Sequence, residues 1–98
     1  MFERGNQIAY IPNHAEGNVR HKDVEYGFVT KVVKDRVFCR FWSKYHLGDL
    51  RTIAVSEGCL AKDLCHHISV RPMVVQMHLA EIDKAGLFGS TPIEGVSQ

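Results

Sequence analysis

The chain has 98 residues, 45% of them hydrophobic and 23% charged, with 12 Lys and Arg against 11 Asp and Glu for a formal net charge of +1. One compact domain with a single small core fits that length, and two domains with separate cores do not. The near-neutral balance excludes a disordered acidic chain, a histone-like basic polymer and a wholesale mimic of DNA charge.

No apolar stretch approaches the ~20 residues that span a bilayer, and Met1-Phe2-Glu3-Arg4 lacks the basic-then-apolar layout of a signal peptide. A cytoplasmic protein without membrane association is the expectation. Cysteines at 39, 59 and 65 are odd in number and form no secreted disulfide framework, so reduced thiols are expected.

In chain order, Asn6 to Pro12 predicts a first short strand, with Ile8 and Tyr10 on one face and Pro12 as its stop. Asn13 to Asp23 has almost no apolar residue and predicts a long exposed loop. Val24 to Val33 predicts a second strand, rich in β-branched and aromatic residues, with Gly27 as a bulge or bend. Lys34-Asp35-Arg36 is a connection of hairpin length, so a third strand from Val37 to Trp42 should pair antiparallel with the second. Leu50 to Val55 predicts a fourth strand. Ser69 as cap, Pro72 in the first turn and Gly86 as terminator predict a helix at about residues 70–85. On its wheel Val70, Met73, Val74 and Met77 form one stripe and Val75, Leu79 and Ile82 another nearly opposite, so the second is either buried beneath other parts of the chain or offered to a partner subunit, the latter being preferred. The pattern predicts a mainly β fold with one helix: a small SH3-like antiparallel barrel at about residues 5–66 and then a C-terminal α-helix. It forms a single domain of residues 1–86, with a flexible tail at 87–98.

Charge is concentrated on the central hairpin. Residues 28–51 hold Lys31, Lys34, Arg36, Arg40, Lys44 and Arg51 against Asp35 and Asp49 only. Phe38, Phe41, Trp42 and Tyr45 interleave with these cations. That pairing suits stacked bases and phosphates, and equally an acidic protein surface; the bland alternative is core aromatics with a solvated rim. Lys31, Lys34, Arg36, Arg40, Trp42, Lys44 and Tyr45 are therefore the expected partner-binding residues. Val75, His78, Leu79 and Ile82 are the expected interface of the helix, including a homodimer seam.

His14, His21, Asp23 and Glu25 cluster around the long loop and offer imidazole and carboxylate ligands for a divalent metal. Cys59, Cys65, His66 and His67, with Cys39, offer a second set, although adjacent histidines on a strand point different ways. Neither spacing is that of a known zinc site, and no metal or other cofactor is expected. There is no phosphate-cradling glycine loop, no Gly-x-Ser-x-Gly elbow and no His-Glu-x-x-His helix, and Cys65 beside His66 lacks the geometry of a nucleophile and its base. Binding is expected, and catalysis is not.

The stretch Tyr10-Ile11-Pro12-Asn13-His14-Ala15-Glu16-Gly17-Asn18, followed by His21-Lys22-Asp23-Val24-Glu25-Tyr26-Gly27-Phe28-Val29-Thr30, resembles a family of small proteins encoded by bacteriophages and prophages. Members open with a Tyr-x-Pro-x-His-Ala segment and continue with His-Pro-Asp-Cys-Glu-x-Gly. Lys22 stands where Pro is common and Val24 where Cys is common, over a resemblance spanning roughly residues 5–42. The resemblance implies a phage accessory protein in the host cytoplasm. On that footing the expected function is a binding module that occludes a host protein or ribonucleoprotein complex, with an anti-CRISPR-like inhibitor as its sharpest form. The alternatives are a nucleic-acid-binding regulator using the same basic hairpin, and a metal-binding structural module.

Overall fold

The computed structural model describes residues 1–48 and 56–85. Its strands are β1 (Gln7–Tyr10), β2 (Glu25–Val33), β3 (Arg36–Phe41), β4 (Glu57–Leu60) and β5 (Leu64–His66), followed by helix α1 (Pro72–Lys84). They form one antiparallel sheet in the order β4-β3-β2-β1-β5. The expected SH3-like barrel is corrected here. The sheet is open, with β4 and β5 at its two edges, and no strand pairing closes it among the described residues. A 3-10 turn, Ala61–Asp63, joins β4 to β5. Both are three- or four-residue strands with little apolar periodicity, which is why the sequence pattern did not reveal them. The expected strand at residues 50–55 and the tail at 87–98 lie outside the described residues.

The β2–β3 hairpin turns through Lys34 and Asp35, and Lys34 takes φ 54, the left-handed conformation that tight hairpin turns require. The bulge in β2 lies between Val29 and Lys31, not at Gly27. Thr30 is the extra residue, and its hydroxyl donates to the Phe38 carbonyl at 3.0 Å and meets Ser56 Oγ at 2.9 Å, so the interrupted ladder is rejoined through a side chain. Gly27 has a different duty. It faces Phe41 where the strands come closest, and an added Cβ would run into the Arg40 carbonyl.

Alternation along the strands supplies apolar groups to both faces of the sheet. One face carries Ile8, Val29, Val37, Cys39, Phe41, Cys59 and Leu64, flanked by Phe2 and Tyr10. The other carries Phe28 and Trp42, onto which α1 packs Val75, Leu79 and Ile82. The expectation that this stripe serves a dimer seam is corrected: it is the core stripe, and the chain's own sheet fills it. Met73 and Met77 instead remain 70% and 61% exposed. Burying three aliphatic side chains of this size contributes about 1.5–3 kcal/mol each, ample reason for the helix to dock this way round.

The helix starts at Pro72, where a missing N–H costs nothing, and its N-cap is Arg71 rather than Ser69. Gln7 performs the ordering expected of a cap. Its Oε1 accepts from the Ser69 and Val70 amides at 3.1 and 3.0 Å while its Nε2 donates to the Val70 carbonyl at 2.8 Å. At the far end of α1, Arg4 donates to Asp83 at 2.8 Å and to the Thr30 carbonyl at 3.1 Å, tying the helix to β2.

Candidate functional site: a cleft beside a histidine–aspartate loop

The loop between β1 and β2 is ordered by its own backbone. A 3-10 turn at Asn13–Ala15 ends in Glu16 at φ 51 and Gly17 at φ 80, which reverse the chain. The amides of Asn18, His21 and Val24 donate in succession to the carbonyls of Ala15, Asn18 and His21. Buried Ala15 and Val24 anchor the two limbs, and the Tyr26 hydroxyl donates to the Val19 carbonyl at 2.8 Å. This frame brings His14, His21 and Asp23 together.

His14 Nε2 lies 2.7 Å from Asp23 Oδ2, and His21 Nδ1 lies 4.0 Å from the same oxygen. The two imidazoles meet edge to face with centroids 5.2 Å apart. One ligand atom from each of the three residues lies within 4.8 Å of the others, the one such group among the described residues. The His14 hydrogen bond, reinforced by Lys22 Nζ at 3.3 Å, lowers the Asp23 carboxyl below its ordinary range. Glu25, the fourth residue expected here, stands outside the group. Its carboxyl is raised by desolvation first and by Glu57 second, with Lys44 opposing.

His21 and Asp23 also form one wall of a cleft of about 720 Å³. Glu25, Tyr26 and Trp42 lie along it, and Lys44 and Tyr45 stand on the opposite lip. The lip is built by the turn at Ser43–His46, closed by a bridge between those two residues in which the His46 amide donates to the Ser43 carbonyl at 3.0 Å. Tyr45 is 83% exposed. The cleft thus offers aromatic faces, two lysines and two carboxylates in one concavity, of the size in which side chains and small ligands are seated.

The expected basic strip does not form one surface. Lys31, Lys34 and Arg36 lie toward the hairpin turn, with Lys31 Nζ 5.4 Å from the centre of the Phe38 ring. Lys44 and Tyr45 lie at the other end of β3, about 20 Å along the strand. Between them Arg40 and Trp42 are buried on the helix side. Trp42 packs on Phe28 at 5.1 Å and on His78 at 5.4 Å, and Arg40 keeps Nε and Nη2 without a partner among the described residues. His78, expected at an interface, turns inward and bonds the Gly48 carbonyl at 2.9 Å.

The second metal set is dispersed. Cys39 and Cys59 are in the core of the opposite face, where their mutual hydrogen bond and burial push the Cys39 thiol up while the same bond lowers Cys59. His66 stacks on Phe2 at 4.6 Å, and His67 lies against Tyr26 at 5.0 Å. Cys65 pairs with Ala9 in the sheet and is half-buried. The residues that sequence reasoning missed are Lys22 and Tyr26. Lys22 lies between two of the clustered loop residues, and that adjacency was the available signal.

No family model matches the chain, and neither a curated protein nor a solved structure matches it. The comparisons lend no support to the phage, anti-CRISPR-like or dimer readings, and the SH3-like barrel conflicts with the open sheet, so these are dropped. No helix among the described residues is long and apolar enough to cross a membrane.

Proposed function

We propose that this protein is a binding module, without catalysis of its own, that seats part of a partner protein in the cleft between the His21–Asp23 wall and the Ser43–Leu47 lip. The observation that carries this reading is the placement of Tyr45 and Lys44. Tyr45 is an almost fully exposed aromatic side chain at the rim of a concavity already floored by Trp42, the arrangement of an interface anchor beside its pocket. Lys22 and Lys44 flank it and suit carboxylates on the partner, which they would steer and orient. Occlusion of the partner's own contacts is the mode of action that needs no further machinery.

The burial pattern favours a protein partner over a nucleic acid. A single strand is bound by several exposed aromatic faces in series along a continuous basic track. Here Phe41 and Trp42 are inside, Phe38 is partly covered, and the basic residues are divided between two ends of the hairpin.

Affinity capture by the tagged protein from a bacterial lysate, at moderate salt and with nuclease, tests this. A defined protein should be retained and should be lost with both Tyr45→Ala and Lys44→Glu, while the double change Lys34→Glu with Arg36→Glu leaves it bound. Capture that disappears with nuclease, or that depends on Lys34 and Arg36 instead, overturns the reading.

A further inference from the structure

We propose that His14, His21 and Asp23 form a binding site for a divalent transition-metal cation of the zinc class. The three are donors of the kind zinc takes: two imidazole nitrogens and one carboxylate oxygen. Ligand atoms at about 2.0–2.1 Å from a tetrahedral cation stand about 3.3 Å apart. The two measured separations here, 2.7 Å for His14 Nε2 to Asp23 Oδ2 and 4.0 Å for His21 Nδ1 to the same oxygen, lie on either side of that value. The third pair, His14 and His21, lies within 4.8 Å, so adjustments of up to about 1.5 Å at exposed or half-exposed side chains reach it.

Each of the three ligand atoms has a hydrogen-bond partner within the loop that a cation would replace. The Asp23 amide donates to His21 Nδ1 at 3.1 Å, so Nδ1 is the unprotonated nitrogen of that ring, with its lone pair engaged by that amide. A cation takes that lone pair in place of the amide. Asp23 Oδ2 lies 2.7 Å from His14 Nε2 and Oδ1 accepts from Lys22 Nζ at 3.3 Å, contacts that a carboxylate makes. On cation binding the His14 Nε2 proton moves to Nδ1 or to solvent, leaving Nε2 to ligate. Lys22 Nζ sits on the other carboxylate oxygen and is 81% exposed, so it retains its contact or swings into water without displacing a ligand.

The backbone frame supports the same assignment. Successive hydrogen bonds donated by the Asn18, His21 and Val24 amides and the staple from Tyr26 to Val19 hold the two limbs in register before any cation arrives. Ordering entropy that a floppy loop would lose on binding is thereby largely spent in folding. Three protein ligands leave at least one position open to water, the arrangement of a site that exchanges ligands and not of a closed structural one. His21 and Asp23 also line the cleft, but cation uptake by the isolated chain needs no occupant of it.

Calorimetric titration of the reduced 98-residue chain with zinc tests it. One equivalent should bind, His14→Ala and Asp23→Asn should each weaken binding tenfold or more, and His66→Ala should leave it unchanged. His14 is exposed and Asp23→Asn keeps its shape, so unaltered far-UV circular dichroism identifies folded variants. Cobalt is the second probe: bound by this group it should give visible ligand-field bands with no thiolate charge-transfer band in the near ultraviolet. Failure of the wild-type chain to take up zinc, equal affinity in the His14 and Asp23 variants, or a thiolate band on cobalt binding overturns the inference.

Discussion

Glu25 illustrates how a single residue can be read twice. By its neighbours in sequence it belongs with His14, His21 and Asp23. In the fold it leaves them, because Asp23 lies on the loop while Glu25 opens β2 opposite Tyr10. There its carboxyl is partly desolvated and faces the field of Glu57, and its pKa is raised. A raised carboxyl pKa means that the folded chain holds the proton more tightly than the unfolded one, so stability is lost as pH rises through the ordinary glutamate range near ~4.3 and past the raised value. Glu25→Gln should therefore raise the melting temperature at pH 7–8 and leave it little changed at pH 4, as thermal denaturation at the two pH values will measure. Arg40 and Trp42 carry the same lesson for charge and aromaticity. Residue type placed both on a partner surface, yet alternation along β3 sends both to the covered helix side.

Among the elements, α1 is where periodicity was most informative and also most ambiguous. Its extent was legible to within two residues, from Pro72 at the start and the apolar spacing that follows. Its two stripes were visible too, but a helical wheel does not state which stripe meets the sheet. The choice follows from packing: Val75, Leu79 and Ile82 fit against Phe28 and Trp42, whereas Met73 and Met77 stay in solvent. Leu79→Ala should cost about 3 kcal/mol by emptying that contact, while Met77→Ser should change stability by less than about 0.5 kcal/mol. Urea denaturation of the two variants will distinguish them, and the reverse order would mean that the helix docks on its other face. The β2–β3 hairpin was legible for a different reason, since two strongly β-branched runs flank a short polar turn. Strands β4 and β5 were not, because three- and four-residue edge strands derive their conformation from neighbours and not from their own pattern.

At the scale of the whole molecule, one sheet carries a core on each side. The face with Ile8, Val29 and Cys39 and the face with Phe28, Trp42 and α1 share the backbones of β2 and β3. Loss of either core exposes apolar surface on strands that the other core requires. Unfolding should consequently be a single transition. Trp42 fluorescence, which reports the helix side, and far-UV circular dichroism, which reports the sheet as well, should give superimposable urea curves. An earlier fluorescence transition would mean that α1 detaches while the sheet persists.

The amino-acid sequence by itself determined the local features of this protein: the hairpin, the helix and its two stripes, the polar loop, and the proximity of His14, His21 and Asp23. Those follow from spacing of a few residues, where propensity and alternation act without help from distant parts of the chain. Only the tertiary structure decided that the sheet stays open, that the central basic and aromatic strip is divided by burial, and that the His14–His21–Asp23 loop shares a wall with the cleft below Tyr45. Each of these depends on which of two apolar faces is covered and by what. A sheet and a helix that each carry apolar groups on two sides leave that question open until they are packed against each other.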